Sequence, residues 1–188
     1  LFTEERDRTV NLMIDMSASG LFGSHIQAKR DVAAEIAALV AFSAIKNDDR
    51  VGLIVFTDQV ESYLPPKKGK KHVLRVVREI LTFQPSSPRT NLSAGLEYLG
   101  KVGRRKSVAF LVSDFLAQGW ERSLQMANRR HDVVPVVITD PMEEALPRVG
   151  LVTFEDAETG EIVEFDTSGP EAALFHQHAA RQRFLREQ

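Results

Sequence analysis

Residues 10–19 read Val10-Asn11-Leu12-Met13-Ile14-Asp15-Met16-Ser17-Ala18-Ser19, an apolar run followed directly by oxygen-bearing side chains. The apolar run has the length of a strand and is continuous rather than alternating, which is typical of a strand buried on both faces of a parallel sheet. The polar residues then fall at the carboxyl end of that strand. In open α/β sheets ligands bind at this edge, close to the point where the strand order reverses.

Three further apolar runs of strand length follow, at Val51–Phe56, Val108–Val112 and Val133–Ile138. We expect Pro135 to lie near a strand start or at a position with little pairing, because proline cannot donate a backbone hydrogen bond. Apolar residues at helical spacing lie between these runs, first within Ile26–Lys46. Three further apolar stripes follow: Val73, Leu74, Val77, Ile80 and Leu81; Leu92, Leu96 and Leu99; and Trp120, Leu124 and Ala127. The alternation predicts an α/β fold with a doubly wound, mostly parallel, Rossmann-like sheet.

Three other segments read as strands outside this parallel pattern. Val60–Leu64 follows the second run after a short turn, which predicts one antiparallel edge strand. Leu151–Phe154 and Ile162–Phe165 flank a turn-like Ala157–Gly160, which predicts a C-terminal β-hairpin. Ser168–Glu171 then has a proline near the first helical position, which predicts a final helix.

Composition places the chain among ordinary globular proteins, with 188 residues of which 43% are hydrophobic. No linker-like tract divides it, so we predict a single domain over residues 1–188. Because the first residue is not Met, we expect a fragment of a longer protein. No apolar stretch approaches the roughly 18 residues that a membrane span needs, so any membrane anchoring would have to come from regions absent from this chain.

Charge and cysteine content exclude several classes of function. The absence of cysteine rules out disulfides, thiolate metal sites and cysteine nucleophiles. The net charge of −2 gives no argument for nucleic-acid binding. Residues 65–106 nevertheless carry eleven basic and two acidic side chains. The cluster Lys67–His72 within them is most simply a solvated loop and helix start, although it could also meet an acidic partner.

Oxygen-bearing residues after the predicted strands form a candidate metal site. Asp15, Ser17 and Ser19 alternate, so in an extended loop they face one side. Asp114 follows the third run and Thr90 precedes a helix, so both should reach the same edge of the sheet. Carboxylates and hydroxyls suit a hard cation, Mg²⁺ or else Mn²⁺ or Ca²⁺. Taken singly, each residue is more simply a helix cap, and the joint pattern is what favours a metal site.

These residues resemble the metal-ion-dependent adhesion site of von Willebrand factor A domains, in which Asp15-Met16-Ser17-Ala18-Ser19, Thr90 and Asp114 fill the five motif positions. More narrowly, the chain resembles the bacterial domain of unknown function 58 family. That likeness is carried by the segments Phe2–Phe22, Asp49–Phe56, Leu64–Gly69, Ser113–Phe115 and Arg130–Val133. Gly20 and Asn91 depart from the pattern without touching a ligand position.

The resemblance implies a function and a partner. Ser17, Ser19 and Thr90 would bind the metal through neutral hydroxyls, while Asp15 and Asp114 would act largely through waters. The metal would then take an acidic side chain from a protein partner as its last ligand, in binding rather than turnover. Members of the family often follow a membrane-anchored region and are frequently encoded beside MoxR-type AAA+ ATPases. We therefore expect a cytoplasmic adaptor or co-chaperone domain and no enzymatic activity.

A metal-dependent phosphohydrolase with Asp15 as nucleophile is the alternative. Phosphohydrolases of the haloacid-dehalogenase type also place an Asp after the first strand, but they need a second Asp two residues later, where this chain has Ser17. Residues 20–24 match neither a dinucleotide-binding loop nor a phosphate-binding P-loop. The five histidines are scattered, and we expect all of them at the surface or at helix ends.

Overall fold

The computed structural model describes residues 8–17, 29–140, 149–155 and 160–169. Within these ranges the elements are, in chain order, β1 (Thr9–Asp15), α1 (Lys29–Lys46), β2 (Arg50–Phe56), β3 (Val60–Lys67), α2 (Lys70–Thr82), α3 (Leu92–Val102), β4 (Val108–Ser113), α4 (Glu121–Asn128), β5 (Asp132–Val137), β6 (Leu151–Glu155) and β7 (Ile162–Asp166). The predicted alternation of strands and helices is therefore present. The predicted helix start at Ile26 and the predicted final helix beyond Gly169 lie outside the described residues.

The main sheet has the strand order β3-β2-β1-β4-β5. Strand β1 pairs in parallel with β2 on one side and with β4 on the other. After β1 the chain adds β2 and β3 on one side of it and later adds β4 and β5 on the other side. The strand order therefore reverses between β1 and β4. We call the edge where these parallel strands end the carboxyl edge, and the edge where they begin the amino edge. The crevice at the carboxyl edge between β1 and β4 is the usual ligand position of such a sheet.

Two apolar layers hold the helices on opposite faces of this sheet. Alternate residues of β1 point to different layers: Leu12 and Ile14 pack with α1 and α2, whereas Met13 packs with α3 and α4. All three side chains have no exposed surface, and burial of each such side chain contributes about 1.5–3 kcal/mol. The central strands are therefore buried on both faces, as their continuous apolar runs predict.

Strand β3 is the antiparallel edge strand, and it is longer than the predicted Val60–Leu64 because it continues to Lys67. The added segment includes Pro65 and Pro66, residues that usually end a strand. An edge strand tolerates them, because only one of its sides has to supply hydrogen bonds to a neighbour. Lys67 pairs with Val51 and so lies at the amino edge.

Strand β5 corrects one expectation from the sequence. Its apolar run predicts burial on both faces, yet Val137 is 40% exposed and only Val133 is buried within the strand. The reason is its position, since β5 is the last strand of the sheet and pairs only with β4. Pro135 lies mid-strand opposite Leu111, and this edge position is the less-paired setting that a proline requires.

Strands β6 and β7 form the predicted hairpin as a separate two-stranded antiparallel sheet. Leu151 pairs with Asp166 and Glu155 with Ile162, and the rings of Phe154 and Phe165 meet edge to face with centroids 6.2 Å apart. Most of the predicted turn falls outside the described residues. Among the helices that the structure describes, none combines the length and the apolar character that crossing a membrane requires.

Candidate metal centre

Asp15 lies at the carboxyl edge, where β1 and β4 are neighbours. Its Oδ1 accepts a hydrogen bond from the backbone N–H of Ser17 at 3.0 Å, and its Oδ2 accepts one from the Ser113 hydroxyl at 2.7 Å. The first bond folds the start of the loop back onto the strand end. The second bond crosses to β4, because Ile14 pairs with Val112 and the next residue on each strand is Asp15 and Ser113. The carboxylate is therefore held by two donors in a fixed orientation.

Burial dominates the electrostatics of Asp15. The loss of hydration raises the pKa of its carboxyl group, and the negative charge of Asp114 raises it further. The hydrogen bonds from Ser113 and Ser17 lower the pKa but do not compensate. Two carboxylates thus lie close enough to repel one another in a poorly solvated crevice. A cation at this position would relieve both the repulsion and the lost hydration.

Asp114 is fixed by a tight turn at the end of β4. It is only 6% exposed, and its Oδ1 accepts a hydrogen bond from the Leu116 N–H at 3.1 Å. The Ser113 hydroxyl oxygen also accepts one from the Phe115 N–H at 3.1 Å. Phe115 has a φ of 56°, a left-handed conformation that is costly for a bulky side chain. Its ring packs edge to face on Trp120 with centroids 5.3 Å apart, which anchors the turn.

The loop that carries Thr90 is tied to the carboxyl edge by the neighbouring residue. The Asn91 N–H donates a hydrogen bond to the Thr57 carbonyl oxygen at 3.0 Å, and Thr57 directly follows β2. Asn91 also caps α3, since its side-chain oxygen accepts from the Ser93 N–H at 3.1 Å. Thr90 therefore lies at the same edge as Asp15, beside the end of the adjacent strand.

Glu61 braces the same loop from β3. One of its carboxylate oxygens accepts a hydrogen bond from the Thr57 hydroxyl at 2.5 Å and the other accepts from the Ser86 N–H at 2.8 Å. Burial alone raises the pKa of Glu61, but the donors from Thr57 and Ser86 together outweigh it and leave the pKa lowered. The ionised carboxylate thus links the β2–β3 turn to the loop that leads to Thr90.

The structure brings together most of the residues in the predicted metal site. Asp15, the buried Ser17 and Asp114 converge between β1 and β4, and Thr90 stands on the next loop of the same edge. Ser19 lies outside the described residues. The sequence pattern does not predict Ser113 as a partner of Asp15, although a hydroxyl at the strand end next to Asp114 is visible in it. Nor does it predict Glu61, because nothing local to its strand indicates a bond to the Ser86 loop.

The oxygen atoms available as metal ligands at this edge suit a hard cation. They are carboxylate and hydroxyl oxygens, which Mg²⁺ prefers to nitrogen or sulfur. Within the described ranges no group of three or more His, Cys, Asp or Glu residues stands ready to hold a metal. The predicted site contains two carboxylates and three hydroxyls. Its three serine and threonine hydroxyls do not belong to the His, Cys, Asp and Glu set, so such a group would not be expected here.

His131 corrects the expectation that every histidine lies at the surface or at a helix end. Its backbone N–H does bond to Ala127 at the end of α4, but the side chain is 1% exposed. Nδ1 lies 2.9 Å from the Ser107 Oγ, which also accepts from the Asn11 side-chain amide at 2.9 Å. This buried polar cluster stands at the amino edge, away from the candidate metal centre.

Comparisons with known proteins identify the family to which the sequence is similar. The sequence matches the family described as "Protein of unknown function DUF58" over residues 1–185. The uncharacterized protein Mb1516 of Mycobacterium bovis is 33% identical over 164 residues, which are 86% of this chain and 52% of that protein. The uncharacterized protein MAV169 of Mycobacterium avium is 32% identical over 124 residues, 64% of this chain and 73% of that protein. The chain thus spans about half the length of Mb1516.

Solved structures share the fold at low sequence identity. An aerotolerance-related membrane protein from Bacteroides fragilis superposes with a TM-score of 0.65 at 17% identity, covering 93% of this chain and 87% of that chain. BatB from Bacteroides thetaiotaomicron gives a TM-score of 0.64 at 14% identity with the same coverage. At these identities the likeness concerns the fold alone. Since the family match extends over nearly the whole sequence, the chain belongs to the DUF58 family.

Proposed function

We propose that this chain is a divalent-metal-dependent protein-interaction module with a von Willebrand factor A-like metal site. The observation that carries the proposal is the convergence of Asp15, Ser17 and Asp114 at the point where strand order reverses, with the Thr90 loop tied to the same edge. The segment with Asp15 and Ser17, the Thr90 loop and Asp114 are far apart in the chain, so helix capping alone gives no reason for them to meet.

The residues of this chain would have two roles in such a site, as ligands of the cation and as the charges that balance it. Ser17, Ser19 and Thr90 would offer neutral hydroxyl ligands, whereas Asp15 and Asp114 supply the negative charge that balances the cation. Ser113 and the Ser17 N–H orient the Asp15 carboxylate. A bound Mg²⁺, Mn²⁺ or Ca²⁺ would supply a positive centre able to accept an acidic side chain from a partner. Neutral ligands leave that centre electrophilic, which favours a charged partner group.

The partner we propose is a MoxR-type AAA+ ATPase, with this chain as an adaptor or co-chaperone. The support is the DUF58 membership, together with the expectation from the sequence resemblance that such ATPases are encoded beside members of the family. We place the module on the cytoplasmic side of a larger, membrane-anchored protein. This is supported by the match to Mb1516, which covers 52% of that protein, and by a structural neighbour described as a membrane protein.

Calorimetric titration with Mg²⁺ and Mn²⁺ tests the metal site. We expect wild type to bind one ion, and Asp15→Ala and Thr90→Ala to lose binding, since each removes a proposed oxygen donor. Asp132→Ala is the matched control, because it removes an exposed carboxylate from the amino edge. Metal binding that is equal in all four proteins would contradict the site.

A pull-down from the source cell tests the interaction. Wild-type bait with Mg²⁺ should retain a partner that EDTA releases and that Asp15→Ala bait fails to capture. A partner that all baits retain equally would argue against metal bridging. A phosphatase screen of the same proteins separates the binding module from the phosphohydrolase alternative, since turnover lost in Asp15→Ala would favour the enzyme.

A further inference from the structure

A cavity of about 200 Å³ opens at the amino edge, on the side of the sheet that α3 covers. Its floor is made by Asn11 of β1 and by Ser107 just before β4, and Pro66 of β3 forms part of the wall. The candidate metal centre stands at the opposite edge, so the two features share no residue.

Three arginines line this cavity. Arg104 and Arg105 stand on the short loop between α3 and β4, and Arg50 begins β2. The rest of the lining that the structure describes is neutral, without Asp or Glu. Segments far apart in sequence therefore bring three arginine residues to the lining of one concave site. Guanidinium groups bind phosphate oxygens through paired, charge-assisted hydrogen bonds.

The floor of the cavity is preorganised. The Asn11 side-chain amide donates to the Ser107 Oγ at 2.9 Å, and Ser107 is in turn held by the buried His131. Gly52 leaves the necessary space, because a Cβ there would lie 2.6 Å from the Asn11 Oδ1 and 2.9 Å from the Pro66 Cγ. The cavity thus depends on a close approach that any larger residue at this position would disturb.

The helix dipole opposes an anion here but is partly neutralised. Helix α3 ends at the cavity, and a helix C-terminus carries partial negative charge. Two of its carbonyls already accept hydrogen bonds, Leu99 from the Gly103 N–H and Val102 from the Arg104 N–H. The charges of Arg104 and Arg105 outweigh what remains, since a helix end is equivalent to only about half a charge.

From this geometry we propose that the cavity binds a phosphate group. A phosphate monoester carries about −1.5 to −2 charges near pH 7, which matches the two positive charges of Arg104 and Arg105 better than a single carboxylate does. The volume corresponds to roughly seven water molecules at about 30 Å³ each, which is enough for one phosphate group and a small substituent. Inorganic phosphate, a phosphorylated metabolite and a lipid headgroup share this chemistry.

Calorimetric titration with inorganic phosphate in about 0.15 M NaCl, without divalent metal, tests the proposal. We expect saturable one-site binding that weakens about tenfold or more in R104Q/R105Q, because charge-assisted hydrogen bonds are lost. The control K70Q/K71Q removes the same charge from α2, outside the cavity lining, and should bind phosphate as wild type does. Asp15→Ala should also bind phosphate normally, which keeps this test independent of the metal site.

Vesicle co-sedimentation distinguishes the sources of the phosphate group. We expect a lipid headgroup to be the source if the protein sediments with phosphatidylglycerol vesicles and this sedimentation is lost in two cases. Free phosphate must compete with the vesicles, and the R104Q/R105Q variant must fail to sediment with them. Phosphate binding without such sedimentation would identify a soluble phosphate compound. The proposal is overturned if wild type shows no saturable phosphate binding, if acetate binds equally well, or if both double variants weaken binding alike.

Discussion

The Ser113 hydroxyl donates a 2.7 Å hydrogen bond to the Oδ2 of Asp15, joining two residues that are 98 positions apart in the chain. The bond connects the ends of β1 and β4 at the point where the strand order reverses. It orients the carboxylate on which the proposed metal site depends. Because the Ser113 oxygen also accepts the Phe115 N–H, one hydroxyl couples the Asp15 loop to the turn that carries Asp114.

Ser113→Ala should weaken Mg²⁺ binding about tenfold while leaving the protein folded, because it removes an outer partner of a metal-binding carboxylate. Calorimetry measures the affinity, and Ser113→Thr should restore it by returning the hydroxyl. Ser62→Ala is the matched control, since it removes a 2.8 Å hydroxyl-to-carboxylate bond to Glu79 away from the site. Equal losses in Ser113→Ala and Ser62→Ala would refute a positioning role.

Asp15→Asn should raise the melting temperature in EDTA by a few degrees. The change removes a buried charge that faces Asp114, while the amide can still accept from the Ser17 N–H and donate to the Ser113 oxygen. The same variant should gain no stability from added Mg²⁺, whereas wild type should. Thermal unfolding with and without Mg²⁺ measures both effects, and a variant less stable than wild type in EDTA would speak against this account.

Gly95→Ala and Gly100→Ala, both in α3, should change stability in opposite directions. A Cβ at Gly95 would lie 2.8 Å from the Phe56 ring, so the helix would be forced off the sheet at a cost of about 1–3 kcal/mol. A Cβ at Gly100 meets nothing within 4 Å, so alanine there should stabilise the helix by about 0.5–1 kcal/mol. Urea unfolding measures both, and shifts of the same sign would contradict the packing.

Wild-type stability should fall as the pH drops below about 6.5, because the unfolded chain then protonates His131 while the folded protein resists protonation. Burial lowers the pKa of His131, and the charge of Arg130 lowers it further. The slope from this group can reach about 1.4 kcal/mol per pH unit. Urea unfolding between pH 5 and 8 should show a shallower slope in His131→Asn, and an unchanged slope would rule out His131 as its source.

Local sequence patterns predicted the element types well. Continuous apolar runs predicted the strands, because parallel strands are buried on both faces. The pattern was wrong for β5, where apolar residues occupy an exposed edge, and for the end of β3, where the prolines did not predict three further strand residues. It was also wrong for part of α2, because Leu74 and Leu81 of the predicted apolar stripe are exposed. None of these differences could be derived locally, since a residue's burial depends on which elements become its neighbours.

The sequence by itself determined the strand–helix alternation and the oxygen donors after β1 and β4. Both follow from periodicity and residue chemistry within short windows. Tertiary structure alone decided that Asp15 meets Ser113, that Glu61 braces the Ser86 loop, that His131 is buried, and that Arg50 joins Arg104 and Arg105 around one cavity. These contacts depend on the order of the strands, which is fixed by the burial of the whole core rather than by any local pattern.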